Sequence, residues 1–341
     1  MAVITNSNNN LTLADWAKRT DPEGRVALVA ELLSQSNEIL EDCVFKEGNL
    51  PTGDRVVVRT GLPTAYWRSL NQGIPNSKST TAQVDEACGM LEARSEVDKD
   101  LAMLNGNTAQ FRLSEDNAFL EAMNQTQAST MFYGNPATDP KQFLGLATRY
   151  SSTTAGNGTN IIPGGSTSGS LNTSVYLVVW GDNTVYCPFP KGSKAGLVHE
   201  DLGEQTVYDG VNRMQAYATR YQWKSGLVVK DWRYVVRIPN LLVADVVAGT
   251  GTQAASAATQ LTKLMMRAMY KIPNLDSGRA AFYMNRTVHS GLAVQSLDRS
   301  QAALAVQPAL SQFGTARNYL SFQGIPIRRV DCLLNTEAVV S

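Results

Sequence analysis

Residues 48–98 constrain the fold most, because they read as strands that cannot bury themselves. "GDRVVVRTGLPTAYWRSL" is an extended pair of runs broken at Gly61-Leu62-Pro63, "NQGIPNSKSTT" is a turn-rich tip, and "AQVDEACGMLEARSEVD" returns with mixed alternation. Arg55, Val57 and Arg59 share one face, Val56 and Val58 the other. A two-stranded ribbon with so few apolar residues is marginal in water on its own. The segment predicts a long hairpin that something else covers, and another subunit would serve.

The far end of the chain makes a related demand. "YLSFQGIPIRRVDCLLNTE", residues 319–337, carries two apolar patches around a Gly-Ile-Pro turn and the basic pair Arg328 and Arg329. Terminal residues usually fray unless tied down, so this pattern predicts a strand that returns to the body of the protein.

Between these lie mixed elements. Thr12 and Asp15 form a loose capping box for a short helix, and Asp21-Pro22 opens a second, predicted over 22–42, with Val26, Val29, Leu33 and Leu40 on one face. "LSEDNAFLEAMNQTQASTMFYGNP" is the clearest helix, with Ser114 as its cap, Glu115 and Asp116 in its first turn, and Gly134 and Pro136 at its end. Residues 151–175 form a Gly/Ser/Thr/Asn-rich loop. Strands are predicted at 175–181, at 184–190, over "GLVVKDWRYVVRI" (226–238) and at "AAFYMNR". In 226–238, Trp232, Tyr234 and Val236 face one way and Arg233, Val235 and Arg237 the other. A helix at 254–271 aligns Leu261, Leu264, Met265 and Ala268, and another lies near 287–298. Helices and strands mix without regular βα alternation, which favours α+β.

Composition excludes several classes. Of 341 residues 43% are apolar and 18% charged, ordinary for a globular chain. Thirty basic residues balance thirty acidic ones, so the whole chain offers no broad footprint for nucleic acid or anionic membrane. No apolar run approaches the ~18 residues of a membrane span. The opening "MAVITNSNNN" has no basic or apolar signal-peptide region, pointing to synthesis in the cytoplasm. Cys43, Cys88, Cys187 and Cys332 are too scattered for a disulfide framework or, with only His199 and His289 besides, for a metal motif; they read as buried free thiols.

Chemistry is sparse. Gly249-x-Gly251-x-x-Ala254 after "LLVADVV" has the local shape of a dinucleotide-binding turn, with Asp276 downstream as a ribose carboxylate. It sits late, no βαβ units follow, and Asp245 interrupts the supposed buried strand, so a plain turn before a helix is the better reading. His199 lies in an expected surface loop, His289 at a helix start, and no GxSxG elbow occurs. Lys263, Arg267 and Lys271 make a basic row that is usually a solvated face. No catalytic, cofactor-binding or metal residues are assigned, and the chain is not expected to be an enzyme.

What the sequence does contain is a detachable arm, a hairpin with little core, a strong central helix and a terminal strand. In order and kind these resemble major capsid proteins of tailed bacteriophages, the HK97-like fold, and the chain is most similar to the epsilon15 Gp7-like group. The residues carrying the resemblance are "NLPTGDRVVVRTGLPTAYWRSLNQGI", "GLVVKDWRYVVRIPN", "FYMNRTV" and "FQGIPIRRVDCLLNTE". The resemblance implies an arm (1–47), an extended loop (48–98), a peripheral domain with its spine helix (99–150), an axial domain (151–315) with a peripheral-domain strand near 226–240, and a returning C-terminal strand (316–341). Val330, Cys332 and Leu334 would point to the core, and Arg328, Arg329 and Asp331 would lie near neighbouring subunits.

The function so implied is a shell of hexamers and pentamers enclosing phage DNA, assembled in the host cytoplasm and found in the virion. Expected partners are further copies, a separate scaffold, a portal, a cement or decoration protein, and double-stranded DNA held by weak, non-specific contact; no cofactor or membrane is expected. Tyr66, Trp67 and Arg68 are residue types that anchor interfaces, and with Arg55 and Arg59 they are the loop's contact candidates. Lys78, at the loop tip, stands where some capsids of this fold carry a cross-linking lysine, but no partner is identifiable and a non-covalent shell is expected. Rival readings are another virion protein, an encapsulin-like shell, or a nucleotide-dependent enzyme built on the Gly249 turn.

Overall fold

The computed structural model describes residues 11–18, 33–167, 169, 171–209, 212–247, 252–295, 304–310 and 316–341. The chain forms two units. Unit 1 comprises Met1–Gln35, Met90–Gln127 and Gly196–Lys224; unit 2 comprises Ser36–Gly89, Ala128–Ala195 and Ser225–Ser341.

Unit 2 is organised by the strand Asn172–Trp180, in which every residue is buried. Successive side chains of a strand point to opposite faces, and here both faces are covered. Val175, Leu177 and Val179 enter one core with Leu261, Leu264, Met265, Ala268, Val288 and Leu292. Tyr176, Val178 and Trp180 enter another with Ile39, Met131, Phe132, Leu146 and Tyr150. This double burial explains the unbroken apolar run, where a half-exposed strand would alternate.

Among the described residues the sheet of unit 2 has nine strands. Its main path runs Phe45–Glu47, Val185–Phe189, Asn172–Trp180, Arg279–Met284, Ile325–Arg329, Ala316–Phe322 and Leu304–Leu310. Val235–Leu242 also pairs antiparallel with Asn172–Trp180, and Val228–Val229 pairs with Val185–Phe189. The expected single strand over 226–238 is therefore interrupted. Asp231 accepts a hydrogen bond from the Arg233 backbone N–H (3.0 Å), turning Trp232–Tyr234 into a 3₁₀ turn. Trp232 and Tyr234 accordingly do not share a strand face with Val236. Both strands of this stretch pair within unit 2.

Unit 1 contains a three-stranded sheet in the order Gly89–Asp98, Asn212–Ser225, Leu197–Asp209. The last two form a long antiparallel pair with a register shift at Asp201/Gly203. His199, expected on a loop, is on a strand with its ring 5.2 Å from that of Tyr221. Since Gly89–Asp98 belongs to this sheet, the loop hairpin predicted over 48–98 closes near Ala87. The small core of this unit joins Val97, Leu101, Ala102 and Phe111, with Leu11, Trp16 and Tyr217 against them. The first helix, Leu13–Lys18, carries the expected box: Asp15 accepts from the Thr12 N–H and Thr12 Oγ1 from the Asp15 N–H. The helix predicted over 22–42 does not extend through 33–38, where the described chain is irregular, and only Ile39–Asp42 is helical; residues 22–32 lie outside the described residues.

The long helix runs Thr108–Tyr133, beginning six residues before its expected cap, so Ser114 is an interior position. The extra turns bring Phe111 into the unit 1 core, and Ala109, Gln110, Arg112 and Leu113 are all good helix formers. Gly134 ends it by close approach rather than by a left-handed twist. A Cβ there would lie 2.3 Å from the Phe143 carbonyl oxygen.

At the C-terminus the expected strand is a hairpin, Ala316–Phe322 with Ile325–Arg329. Its turn is Gln323-Gly324, with φ of 53° and 83°, and Ile325 and Pro326 belong to the second strand. Positive φ at both central residues is the signature of a tight hairpin turn. Beyond Arg329 the alternation fails, because a turn follows at once, with the Leu333 N–H donating to the Val330 carbonyl. Val330 is buried as expected and Cys332 half-buried, but Leu333 takes the core position and Leu334 is 49% exposed.

The final residues are fastened. Glu337 accepts from Arg237 Nη2 (2.9 Å), the Ser174 hydroxyl and the Tyr133 hydroxyl, and its N–H donates to the Asn172 carbonyl. Val340 and Asn240 exchange two hydrogen bonds, and the Ser341 carbonyl accepts from the Thr153 N–H.

Asp331 accepts from the Ser36 N–H (3.0 Å) and from the Arg286 guanidinium. Burial would raise this carboxyl, but the Arg286 and Ser36 hydrogen bonds outweigh it and hold the carboxyl below its usual range. A carboxylate depressed on folding contributes stability that is present above its unfolded value, about 3.9, and is lost as pH falls through the folded value. Asp331→Asn is therefore expected to lower the urea midpoint at pH 7, and the difference from wild type should shrink steadily below about pH 4. A gap that stays constant down to pH 2 would contradict this assignment.

Candidate assembly surfaces

The loop hairpin is built on strands Gly53–Gly61 and Thr80–Ala87, with Arg55 opposite Asp85, Val56 opposite Val84 and Arg59 opposite Thr81. Its foot is anchored. Val56 packs with Tyr186 and Val228, with Val44 and Val58 beside them. Asp54 accepts from the Tyr186 hydroxyl. Glu86 takes a bidentate bond from Arg149 (2.7 and 2.6 Å), whose Nη2 also reaches the Leu227 carbonyl. The predicted two-faced strand is borne out at this end: Val56 is buried, while Arg55, Val57 and Arg59 are exposed.

Beyond Gly61 the chain leaves the ladder and its apolar side chains lose their cover. Leu62 is 79% exposed, Tyr66 46%, Trp67 103%, Leu70 94% and Ile74 55%. Ser77 Oγ donates to the Thr64 carbonyl across the loop (3.0 Å), and Asn71 turns the tip with φ of 65°. From residue 55 to 84 the chain has no carboxylate, while Arg55, Arg59, Arg68 and Lys78 are basic. Arg55 is neutralised by Asp85 (2.6 Å); Arg59, Arg68 and Lys78 are exposed. The loop thus presents a cationic, apolar end. Single exposed apolar residues are unremarkable, whereas five of them within thirteen residues make this loop end the candidate contact surface.

The C-terminal candidates are placed differently. Arg328 is bidentate to Asp42 (3.0 and 3.0 Å), and the Asp42 carboxylate also accepts from Tyr283. Asp331 is committed to Ser36 and Arg286. Arg329 remains half-exposed, 3.7 Å from Asp331. Arg328 and Asp331 therefore bind their own chain, and the sequence could not show this because Asp42 lies 286 residues from Arg328.

Burial pushes the Cys88 and Cys332 thiols up to about 12 and the Cys43 thiol up as well, so these cysteines stay protonated and unreactive. Among the described residues no three His, Cys, Asp or Glu side chains gather to hold a metal, and no helix is long and apolar enough to cross a membrane. The Gly249–Gly251 turn lies outside the described residues, but what precedes it is the helix Val243–Val247 and not the strand a dinucleotide turn requires.

Residues 21–341 match the family described as Major capsid protein GP7. The cryo-EM-derived structure of bacteriophage epsilon15 contains a chain 30% identical, aligned over 100% of this chain and 99% of that one, with a TM-score of 0.72. The capsid of bacteriophage JBD30 aligns over 88% of this chain and 92% of that one, at 9% identity and a TM-score of 0.49. A search of curated proteins returned no match. Together with the anchored hairpin and the long helix, the family match and the likeness to the epsilon15 chain bear out the expected α+β, HK97-like fold, and the chain belongs to the major capsid protein GP7 family, as a shell-forming subunit of a bacteriophage capsid.

Proposed function

We propose that copies of this chain join as hexamers and pentamers into an icosahedral shell around double-stranded phage DNA. The observation that carries this reading is the loop end: Leu62, Trp67 and Leu70 are largely uncovered in their own chain, and Tyr66 and Ile74 about half so. Laid across a neighbour, they leave water, and at about 25 cal/mol per Å² that burial offsets the cost of ordering the loop. Arg59, Arg68 and Lys78 flank the patch as its polar rim, and Arg329 is the C-terminal residue still available to a neighbour. In this reading residues 1–47 act as the arm, the long helix as the spine of the peripheral domain, and most of unit 2 as the axial domain. Assembly takes place in the host cytoplasm with a separate scaffold and a portal, and a cement or decoration protein is a further partner. The subunit has no catalytic role, and Lys78 forms no cross-link.

Negative-stain microscopy with sedimentation of the purified protein tests this. Closed polyhedral particles, or hexamers and pentamers, are expected, and denaturing gels of the particles should show only monomer. A stable monomer that never associates, even with its phage partners co-expressed, would refute the assembly; a band at twice the monomer mass would refute its non-covalent character.

A further inference from the structure

A neutral chain conceals a large internal asymmetry. Unit 1 carries nine Lys and Arg against fifteen Asp and Glu, and unit 2 carries twenty-one against fifteen. One unit is therefore at −6 and the other at +6. Among the described residues of unit 1, four cations are committed to its own acids: Arg94 to Glu96, Lys99 to Glu204, Arg112 to Asp201, and Arg220 to Glu92 and Glu200. With fifteen carboxylates against nine cations, the unit's own basic residues cannot match its acids one for one. Asp100, for instance, is exposed on the first turn of a helix.

Unit 2 has the complementary feature. At the foot of the loop hairpin a cleft of about 500 Å³ is lined by Lys46, Lys191 and Lys230, with Glu47, Asp54 and Arg55. The second three are spent. Glu47 accepts from the Gly192 N–H (2.9 Å), Asp54 from the Tyr186 hydroxyl and the Asn49 N–H, and Arg55 is held by Asp85. The lysines are not. Lys46 stands over the Tyr186 ring at 5.4 Å, Lys230 donates to the Asn183 side-chain carbonyl (2.8 Å), and none of the three forms an ion pair with a described residue. Three ammonium groups from three separate segments thus converge on one recess.

We infer that this cleft receives carboxylate side chains from unit 1 of a second copy, giving contact between copies an ionic, head-to-tail component. The inference rests on the shell reading above and names a pair of surfaces within it. A second copy fits better than DNA. The three lysines line one recess rather than a continuous basic track of the kind that follows a phosphate backbone. A heterologous contact of this kind also suits rings, which form when the rotation closes.

The test uses shells reassembled from subunits grown in ¹⁴N and ¹⁵N media and treated with a carbodiimide, which joins a lysine amine to a touching carboxylate with loss of water. Mixed-isotope links are expected between Lys46, Lys191 or Lys230 and acids in 90–127 or 196–224. Links from these lysines confined to one isotope, or to acids of unit 2, would overturn the inference, as would protection of the lysines only in DNA-filled particles. In parallel, the Lys46→Gln/Lys191→Gln/Lys230→Gln protein should associate about tenfold more weakly at 50 mM NaCl. Its deficit should vanish near 1 M, where charges more than about 3 Å apart are screened. Shells at wild-type yield and salt dependence would overturn the cleft assignment. Wild-type shells in the same series keep that outcome separate from any failure of the shell reading, and an unchanged melting temperature of unassembled subunits excludes misfolding.

Discussion

Replacing Glu337 by alanine lowers the unfolding free energy of the unassembled subunit by about 3–5 kcal/mol, the usual loss when one member of a buried ion pair is removed. Arg237 is the reason. Its side chain and that of Glu337 are 5% and 6% exposed, so after the substitution a guanidinium remains in a dry site without its counter-charge. The loss is not total, because Nη1 still donates to the carbonyls of Ala147 and Tyr150 (3.1 and 2.8 Å) and Nε to Ser174. Changing both residues separates charge from packing. Arg237→Met with Glu337→Leu should cost clearly less than Glu337→Ala alone, since a hydrophobic pair of similar volume can replace a buried ion pair at little cost. Urea titrations of wild type and the two variants decide it; a double variant at least as unstable as Glu337→Ala would show that the carbonyl contacts, and not the charge pair, dominate.

Trp67→Ala combined with Leu70→Ala should give the opposite signature. Neither side chain has cover in its own chain, so folding stability should stay within about 0.5 kcal/mol of wild type. Shell formation should fall by at least tenfold, because truncating an aromatic anchor at an interface typically costs about 2 kcal/mol or more, and each 1.4 kcal/mol is a factor of ten. Sedimentation of matched preparations reads the assembled fraction, and thermal unfolding of the free subunits reads the fold. Particles at normal yield would remove the loop end from the list of contacts that close the shell.

The contrast between these two variants follows what the sequence could and could not display. The buried strand at 172–180 was visible because burial on both faces leaves an unbroken apolar run, and the helix ending at Lys271 because Leu261, Leu264, Met265 and Ala268 repeat at its period. The long pair 197–209 and 212–225 was not seen. Its inward residues include Ala216 and Ala218, too small to make a strong alternation. The strand over 226–238 was over-read, since nothing in its apolar pattern shows that Asp231 captures the Arg233 N–H. Residue type picked out Tyr66 and Trp67 at the loop, but their exposure depends on how far the strand ladder runs. Arg328 and Asp331 looked like surface charges because their partners, Asp42, Ser36 and Arg286, are remote in sequence. The balance of thirty charges against thirty hid the division between units.

The position of Ile325–Arg329 in the sheet has a consequence for biosynthesis. This strand lies between Arg279–Met284 and Ala316–Phe322, so a segment made after both of its neighbours occupies the place between them. A chain still being translated, or cut short before residue 325, leaves Arg279–Met284 with an open edge and Ala316–Phe322 with no route to the rest of the sheet. Such long-range pairing is slow. The sheet of unit 2 is therefore completed only once residues 325–329 have been made, and a fragment that stops before them is expected to stay outside the particle.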